Sequence, residues 1–349
     1  MSKMLLAFNV SMLLVDFVAI IVMARTTRLS RRAGTLAAVA FAALLLSAAS
    51  REGPFGQIRL LAAAVFVHGV ILATALAAIS WRSRRRLAIA WLLLAVSLLA
   101  VGVDSFYVEP FWLDVTRLTL HSPKIDRPIR IAVVADFQTD TIGDFEREVL
   151  ERVLAEEPDI ILFVGDYIQV KSIHRPPLAN EFRKLLVESG IASRADVYAV
   201  KGNNDPPDWK ELFRDSQARL FEETESIICG SLVITGLSQP DSRDPFLNVP
   251  PAEGFHIVFG HHPDYALGKV SADLMVAGHT HGGQVRLPII GPLVTLSRIP
   301  RQWAAGVTDC GQGRTLVVSR GTGLERGNAP RLRFLCRPEL VVIQLEPEA

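Results

Sequence analysis

Cysteine is scarce and the charges cancel, and each shortage closes off a class of protein. Only Cys229, Cys310 and Cys336 occur, far apart and without a CxxC pair. That excludes a disulfide framework and a zinc-knuckle pattern, and each cysteine reads as a small buried hydrophobe. Lys and Arg number 37 against 36 Asp and Glu, for a net charge of +1, so no global field draws nucleic acid or an acidic partner. Internal repeats and low-complexity tracts are also missing. Charge is thinnest before Asp104, where nearly all of the excess in mean hydropathy (+0.29 for the whole chain) lies. The shift predicts a membrane region over residues 1–106 and a second domain over residues 107–349.

Four apolar runs fill the first region: Met4–Ala24, Thr35–Ser50, Leu60–Ser80 and Leu87–Val103. A spanning helix needs about 20 mostly apolar residues. The second run is short and must recruit Ala33 and Gly34 to reach that length. Three further runs follow the first, so it is not a cleaved leader. Arg25, Arg28, Arg31 and Arg32 separate the first two runs, and Arg82, Arg84, Arg85 and Arg86 separate the last two. Short arginine-rich loops stay cytoplasmic. Two crossings between them put the N-terminus, and everything after Asp104, on the extracytoplasmic side of a multi-pass cell membrane protein. Asp16 and His68 lie mid-run, where an ionisable side chain marks a functional site by default; a neutral His bonded to a neighbouring helix is the structural alternative.

From Ile129 onward the pattern changes to short β-branched runs alternating with helices. Ile129–Asp136 (IRIAVVAD), Asp159–Asp166 (DIILFVGD) and Val197–Asp205 (VYAVKGNND) read as buried strands. Between them, Asp144 is a plausible N-cap for a helix ended by Pro158, and Leu178–Ser189 is helical with Gly190 as its stop. Pro206 and Pro207 open a short helix at Asp208. Beyond Phe221 strands dominate: SLVITGL, FHIVFGHH, DLMVAGHTH, TLVVSRG, RLRFLC and ELVVIQL. Alternation followed by a strand-rich stretch argues an α/β layered domain.

Each of five strands ends in a polar cluster: Asp136-Phe137-Gln138, Gly165-Asp166, Gly202-Asn203-Asn204-Asp205, Gly260-His261-His262 and Gly278-His279-Thr280-His281. Ligands bind open α/β sheets outside the carboxyl ends of strands. Alone, Gly-Asp and Asn-Asn-Asp are ordinary turn chemistry; five such clusters in series are not. Glycine before the polar residues lets the backbone turn sharply. His279 and His281, two apart in an extended segment, point to one side. Carboxylates, an amide oxygen and imidazoles together suit Mn, Fe or Zn better than Ca. One Asp shared between two such ions, about 3.5–4 Å apart, forms the clamp used for in-line attack on phosphorus.

In this order the clusters resemble the calcineurin-like metallophosphoesterase superfamily, whose pattern runs Asp-x-His, Gly-Asp, Gly-Asn-His-Asp or Glu, a His, then Gly-His-x-His. GHTHGGQVRLP (Gly278–Pro288) and the SRGTG and FLCRPEL segments look like a membrane-associated bacterial branch of it. The resemblance covers roughly residues 118–345. It implies a β-sandwich flanked by helices and two divalent or transition metal ions, with a metal-bridging hydroxide attacking phosphorus. By position, Asp136, Asp166 and His281 would hold one ion. Asp166 would bridge to a second, completed by Asn203, His261 and His279; His262 stays outside the set.

Two positions depart from that pattern. Gln138 replaces a His and offers only a neutral carbonyl oxygen. Asn204 replaces the His that helps the leaving group; an amide donates a hydrogen bond but transfers no proton, and a positioned acid is worth about 10²–10⁴-fold in rate. Either His174 or His262 protonates the leaving oxygen, or the substrate is one that needs no help, such as a pyrophosphate or aryl ester. The implied partner is a phosphorylated substrate, membrane-associated and lipid-linked. The competing readings are a non-catalytic sensor binding metal or a phospho-ligand, and a small transporter with an appended regulator. Some members of the superfamily cleave a nucleotide-linked diacylglucosamine; that substrate is cytoplasmic, and the arginine loops count against it.

Overall fold

The structure, a computed structural model, describes residues 3–348. The chain divides into two compact units, residues 1–107 with 328–331 and residues 108–327 with 332–349.

The first unit is four helices: α1 (Lys3–Arg25), α2 (Leu29–Ala48), α3 (Gly53–Ser80) and α4 (Arg85–Val103). All four are long and apolar enough to cross a membrane. Residues such as Leu14, Phe17, Val18, Phe41 and Leu93 point outward and exposed, an apolar surface that suits lipid rather than water. The short second run reaches 20 residues because α2 starts at Leu29 and takes in Arg31 and Arg32. The Arg32 guanidinium turns back to donate to the Thr26 carbonyl at 3.1 Å.

A π-helical turn, Ala64–His68, interrupts α3. It presents a buried His68 to α1: Nδ1 lies 2.6 Å from Asp16 Oδ2, and Nε2 lies 3.1 Å from Asn9 Oδ1. The two ionisable residues of the apolar runs are therefore partners across a helix pair. In a double-mutant cycle of Asp16→Leu and His68→Leu, unfolding in detergent should give a coupling energy of about 1–2 kcal/mol. Additive effects would show that the pair contributes nothing to joining α1 and α3.

The second unit packs two six-stranded sheets face to face. The strands are β1 (Asp114–Ser122), β2 (Ile129–Val134), β3 (Ile160–Phe163), β4 (Asp196–Val200), β5 (Arg219–Phe221), β6 (Glu225–Cys229), β7 (Leu232–Gly236), β8 (Phe255–Phe259), β9 (Leu274–Ala277), β10 (Gly306–Asp309), β11 (Thr315–Val318) and β12 (Glu339–Pro347). One sheet runs β1-β12-β2-β3-β4-β5 and the other β10-β11-β9-β8-β7-β6. In the first, β2 to β5 are parallel, with Ile131 opposite Ile160 and Ile160 opposite Asp196. In the second, β7, β8, β9 and β11 are parallel.

Period-two alternation assigns the faces. Ile131, Val133, Ile160 and Leu162 meet Ile234, Ile257, Phe259, Leu274 and Val276 between the sheets. Their neighbours Ala132, Val134, Ile161 and Phe163 face helices α5 (Asp144–Ala155) and α6 (Arg175–Ser189). Both faces are covered, which is why these strands read as unbroken apolar runs. The expected α/β sandwich flanked by helices is the fold found, and Gly190, at φ 68°, ends α6 as expected. Two local expectations need correction. Asp144 is the first helical residue and Gly143 the cap; the Glu146 carboxylate accepts from the Gly143 N–H at 3.0 Å. Of the three cysteines only Cys336 is fully buried.

Candidate metal centre

Strands β2, β3, β4, β8 and β9 end at one edge, and their next residues fall into a common hollow. Close approach there is what the glycines provide. A Cβ on Gly202 would lie 2.2 Å from the Asp166 amide nitrogen and from Oδ1, and one on Gly278 would lie 2.6 Å from Asp136 Oδ2. Of Gly165, Gly202, Gly260 and Gly278, only Gly165 has a positive φ, 85°. The strain falls instead on the polar residues: Asp136, Gln138, Asp166, His279 and His281 all have φ between 36° and 68°. Left-handed backbone at five non-glycine residues around one hollow concentrates the sort of strain found at functional sites. It also corrects the expected geometry of His279 and His281. They do not alternate along an extended strand; β9 stops at Ala277 and a tight turn carries both.

Asp136, Asp166 and His261 present ligand atoms within 4.8 Å of one another, and so do His261, His262 and His279. His261 Nδ1 lies 2.9 Å from the Val164 carbonyl oxygen, which fixes the proton on Nδ1 and leaves Nε2 for the hollow. Nε2 is 3.4 Å from Asp166 Oδ2 and 3.0 Å from Asn203 Oδ1. His281 Nε2 is 3.8 Å from Asp136 Oδ1. The Asp136 carboxylate accepts the His279 backbone N–H at 2.9 and 3.1 Å, and the His279 ring reaches the Leu296 carbonyl at 3.2 Å.

Several atoms here suit a cation. Gln138 donates its amide to Gln169 at 3.0 Å and to Glu325 at 3.1 Å, which turns the carbonyl the other way. That carbonyl oxygen, His281 Nδ1 and both ring nitrogens of His262 are buried without a hydrogen-bond partner among the described residues. Leaving such atoms bare costs about 1–3 kcal/mol each, and a bound ion relieves part of it. His262, outside the expected ligand set, lies with its ring 3.6 Å from that of His279. His174, the other proton donor considered, is exposed in a short turn before α6.

Asn204 braces the Asp166 carboxylate. Its backbone N–H donates to Asp166 Oδ1 at 2.7 Å and its side-chain amide to Oδ2 at 2.8 Å. Three supporting residues were not singled out in the sequence. Asp205 accepts N–H groups from Asp166 and Gly202 through Oδ2, at 2.8 and 2.7 Å, and from Tyr167 through Oδ1 at 2.7 Å, clamping two strand-end turns. Its place in the Gly-Asn-Asn-Asp cluster was the available signal. Glu325 holds both Gln138 and Gln169. The fully buried Arg333 donates to the carbonyls of Arg320, Gly321, Gly323 and Cys336. It thereby fixes a turn whose Gly323 leaves room for the Phe137 carbonyl, 2.1 Å from where a Cβ would stand.

The electrostatics follow from burying two carboxyl groups together. Burial pushes Asp136 up to about 7, against the pull of His261. Burial also opposes ionisation of Asp166, yet His261 and the Asn204 donors outweigh it and hold this carboxyl down at about 2. Burial would neutralise His261, but Asp166 and Asp136 lift it to about 9. His279, buried beside His261, falls to about 4, and burial keeps His281 neutral as well. Without a cation the hollow thus retains protons on Asp136 and His261 that an incoming cation must displace. Uptake of Mn should release protons and tighten as pH rises through 7 towards 9. Calorimetry in buffers of differing ionisation enthalpy checks this, and a pH-independent affinity would contradict it.

Residues 129–283 match the family model for calcineurin-like phosphoesterases. Over 267 residues the chain is 29% identical to the uncharacterized metallophosphoesterase YkuE of Bacillus subtilis, an alignment covering 69% of this chain and 88% of that protein. It is 27% identical over 257 residues to the phosphodiesterase YaeI of Escherichia coli, covering 68% and 90%. Over 305 residues it is 23% identical to the UDP-2,3-diacylglucosamine pyrophosphatase LpxG of Chlamydia trachomatis, covering 68% and 91%.

Proposed function

We propose, from the match of residues 129–283 to calcineurin-like phosphoesterases and the likeness to metallophosphoesterases, that the chain hydrolyses a phosphodiester or pyrophosphate bond in a membrane-associated substrate, on the extracytoplasmic side. The convergence of Asp136, Asp166 and His261 carries this reading. Asp136, Asp166, His281 and Gln138 are suited to one ion, and Asp166, Asn203, His261 and His279 to a second. Mn, Fe or Zn held there would supply positive charge to activate water and neutralise phosphoryl oxygens.

The protein's own groups do the rest. Asp205 and the Val164 carbonyl orient Asp166 and His261. Asn204 holds Asp166 through its backbone N–H and one side-chain N–H; the second side-chain N–H is left to donate to a phosphoryl oxygen, but an amide transfers no proton to a leaving group. His262, held neutral by burial and by the neighbouring His261, lies among the ligands but has no proton to give at ordinary pH in its charged form. Substrates with good leaving groups are therefore favoured, and pyrophosphate-linked lipids fit both this constraint and the four apolar helices. LpxG is named for a reaction of this class. The sensor alternative draws on the same observation, since an amide at position 204 in place of an imidazole weakens leaving-group chemistry.

The full chain with Mn should hydrolyse an aryl phosphodiester, and chelation should abolish turnover. Asp166→Asn should lower kcat/KM by more than about 100-fold, beyond what losing a ligand's hydrogen-bond partner costs. No turnover by the unaltered chain with Mn, and so no loss on Asp166→Asn, favours the sensor. Because Gln138 is a neutral oxygen donor, metal analysis should find one ion tightly held and a second at lower occupancy; equal, full occupancy contradicts that ranking. A reporter fused to the C-terminus should be active only outside the cytoplasm.

A further inference from the structure

Scattered exposed apolar side chains are normal on any protein, and Ile173, Ile228, Phe246 and Val307 are of that kind. The segment after the histidine turn is different. Ile289, Ile290, Leu293, Val294 and Leu296 are all exposed within eight positions, Ile289 completely. A contiguous apolar patch of this sort marks an interaction surface.

Its shape is built. Arg286 and Leu287 pair antiparallel with Pro292 and Gly291, so Pro288–Ile290 form the tip of a small hairpin. Ile289 has φ 71° and Leu296 φ 53°. A β-branched residue in the left-handed region is a genuine outlier, and such strain persists where the tip's conformation matters. The far end of the segment is pinned to the metal centre. Leu296 offers its carbonyl to the His279 ring at 3.2 Å, and Ser297 and the Arg298 N–H bond the Asp264 carboxylate. Residues 286–301 contain Arg286, Arg298 and Arg301 and no acidic residue.

We propose that this hairpin inserts into the acyl layer of an anionic phospholipid bilayer. Ile289, Ile290, Leu293, Val294 and Leu296 would lie below the head groups, with Arg286, Arg298 and Arg301 at the lipid phosphates. An apolar tip with basic flanks is the composition that binds at such an interface. Because the Leu296 carbonyl holds His279, insertion sets the centre at head-group depth, where the scissile phosphate of a membrane lipid lies. That consequence rests on the phosphoesterase reading above; insertion itself does not.

The test uses the full chain in nanodiscs of phosphatidylcholine and phosphatidylglycerol, with Cys229→Ser and Cys310→Ser removing the partly accessible thiols. A nitroxide attached through Ile290→Cys should collide with oxygen in strong preference to a water-soluble nickel chelate. One attached through Ile228→Cys, on the exposed strand β6, should show the reverse. Equal behaviour at the two positions overturns the proposal. So does spin–spin broadening at 290 that vanishes on dilution with unlabelled protein, since a second copy would then cover the patch. Ile289→Asp with Ile290→Asp should lower, about tenfold, the ratio of turnover on a vesicle-embedded long-chain phosphodiester to turnover on a soluble aryl diester. An unchanged ratio counts against insertion, whereas no turnover of either substrate by the unaltered chain removes the phosphoesterase reading and leaves the nitroxide result standing.

Discussion

Two carboxylates, Asp136 and Asp166, are shut away from water at the meeting of five strand ends, and burying them together is the constraint on which the site depends. Neither can carry its charge there without compensation, since an isolated buried carboxylate shifts its pKa and neutralises instead. Among the protein's own groups the compensation comes from His261, the Asn204 donors and protonation. The arrangement is costly to fold, and its ligand atoms lie close enough together to hold a cation. Strained backbone at Asp136, Gln138, Asp166, His279 and His281 adds to that cost, and clamps such as Asp205 and Arg333 hold it in place.

Much of this was legible in the chain. Apolar runs located the four helices, and unbroken β-branched runs located the strands buried on both faces, because burial on two sides erases the usual polar alternation. The polar clusters lay where strands end, and the sheets deliver them to one hollow. The remainder lies in tertiary detail. Nothing local says that the turn after Ala277 brings His279 and His281 round through left-handed conformations, or that α2 takes up Arg31 and Arg32. Glu325 acts on Gln138 and Gln169, far away in sequence, and Arg333 on backbone carbonyls of an irregular turn that carries no periodic pattern, so no spacing rule could have found them.

Gln138 and Asn204 set the character of the chemistry. Each is an amide where the family pattern has an imidazole, and each is oriented by neighbours: Gln138 by Gln169 and Glu325, Asn204 by Asp166. An oriented amide keeps the geometry of a ligand or a donor while giving up proton transfer and some metal affinity. On the proposed reading, substrates whose leaving group is already a good one would suit such a site best. The Asp16–His68 pair lies apart from this site, where a buried contact joins α1 to the π turn of α3.

Anomalous diffraction from crystals of the full chain grown with Mn tests the central claim most directly. Two peaks about 3.5–4 Å apart, with the Asp166 carboxylate between them and His261 and His281 each against one peak, are what this account predicts. A hollow with no anomalous density, or density held by other residues, would contradict it.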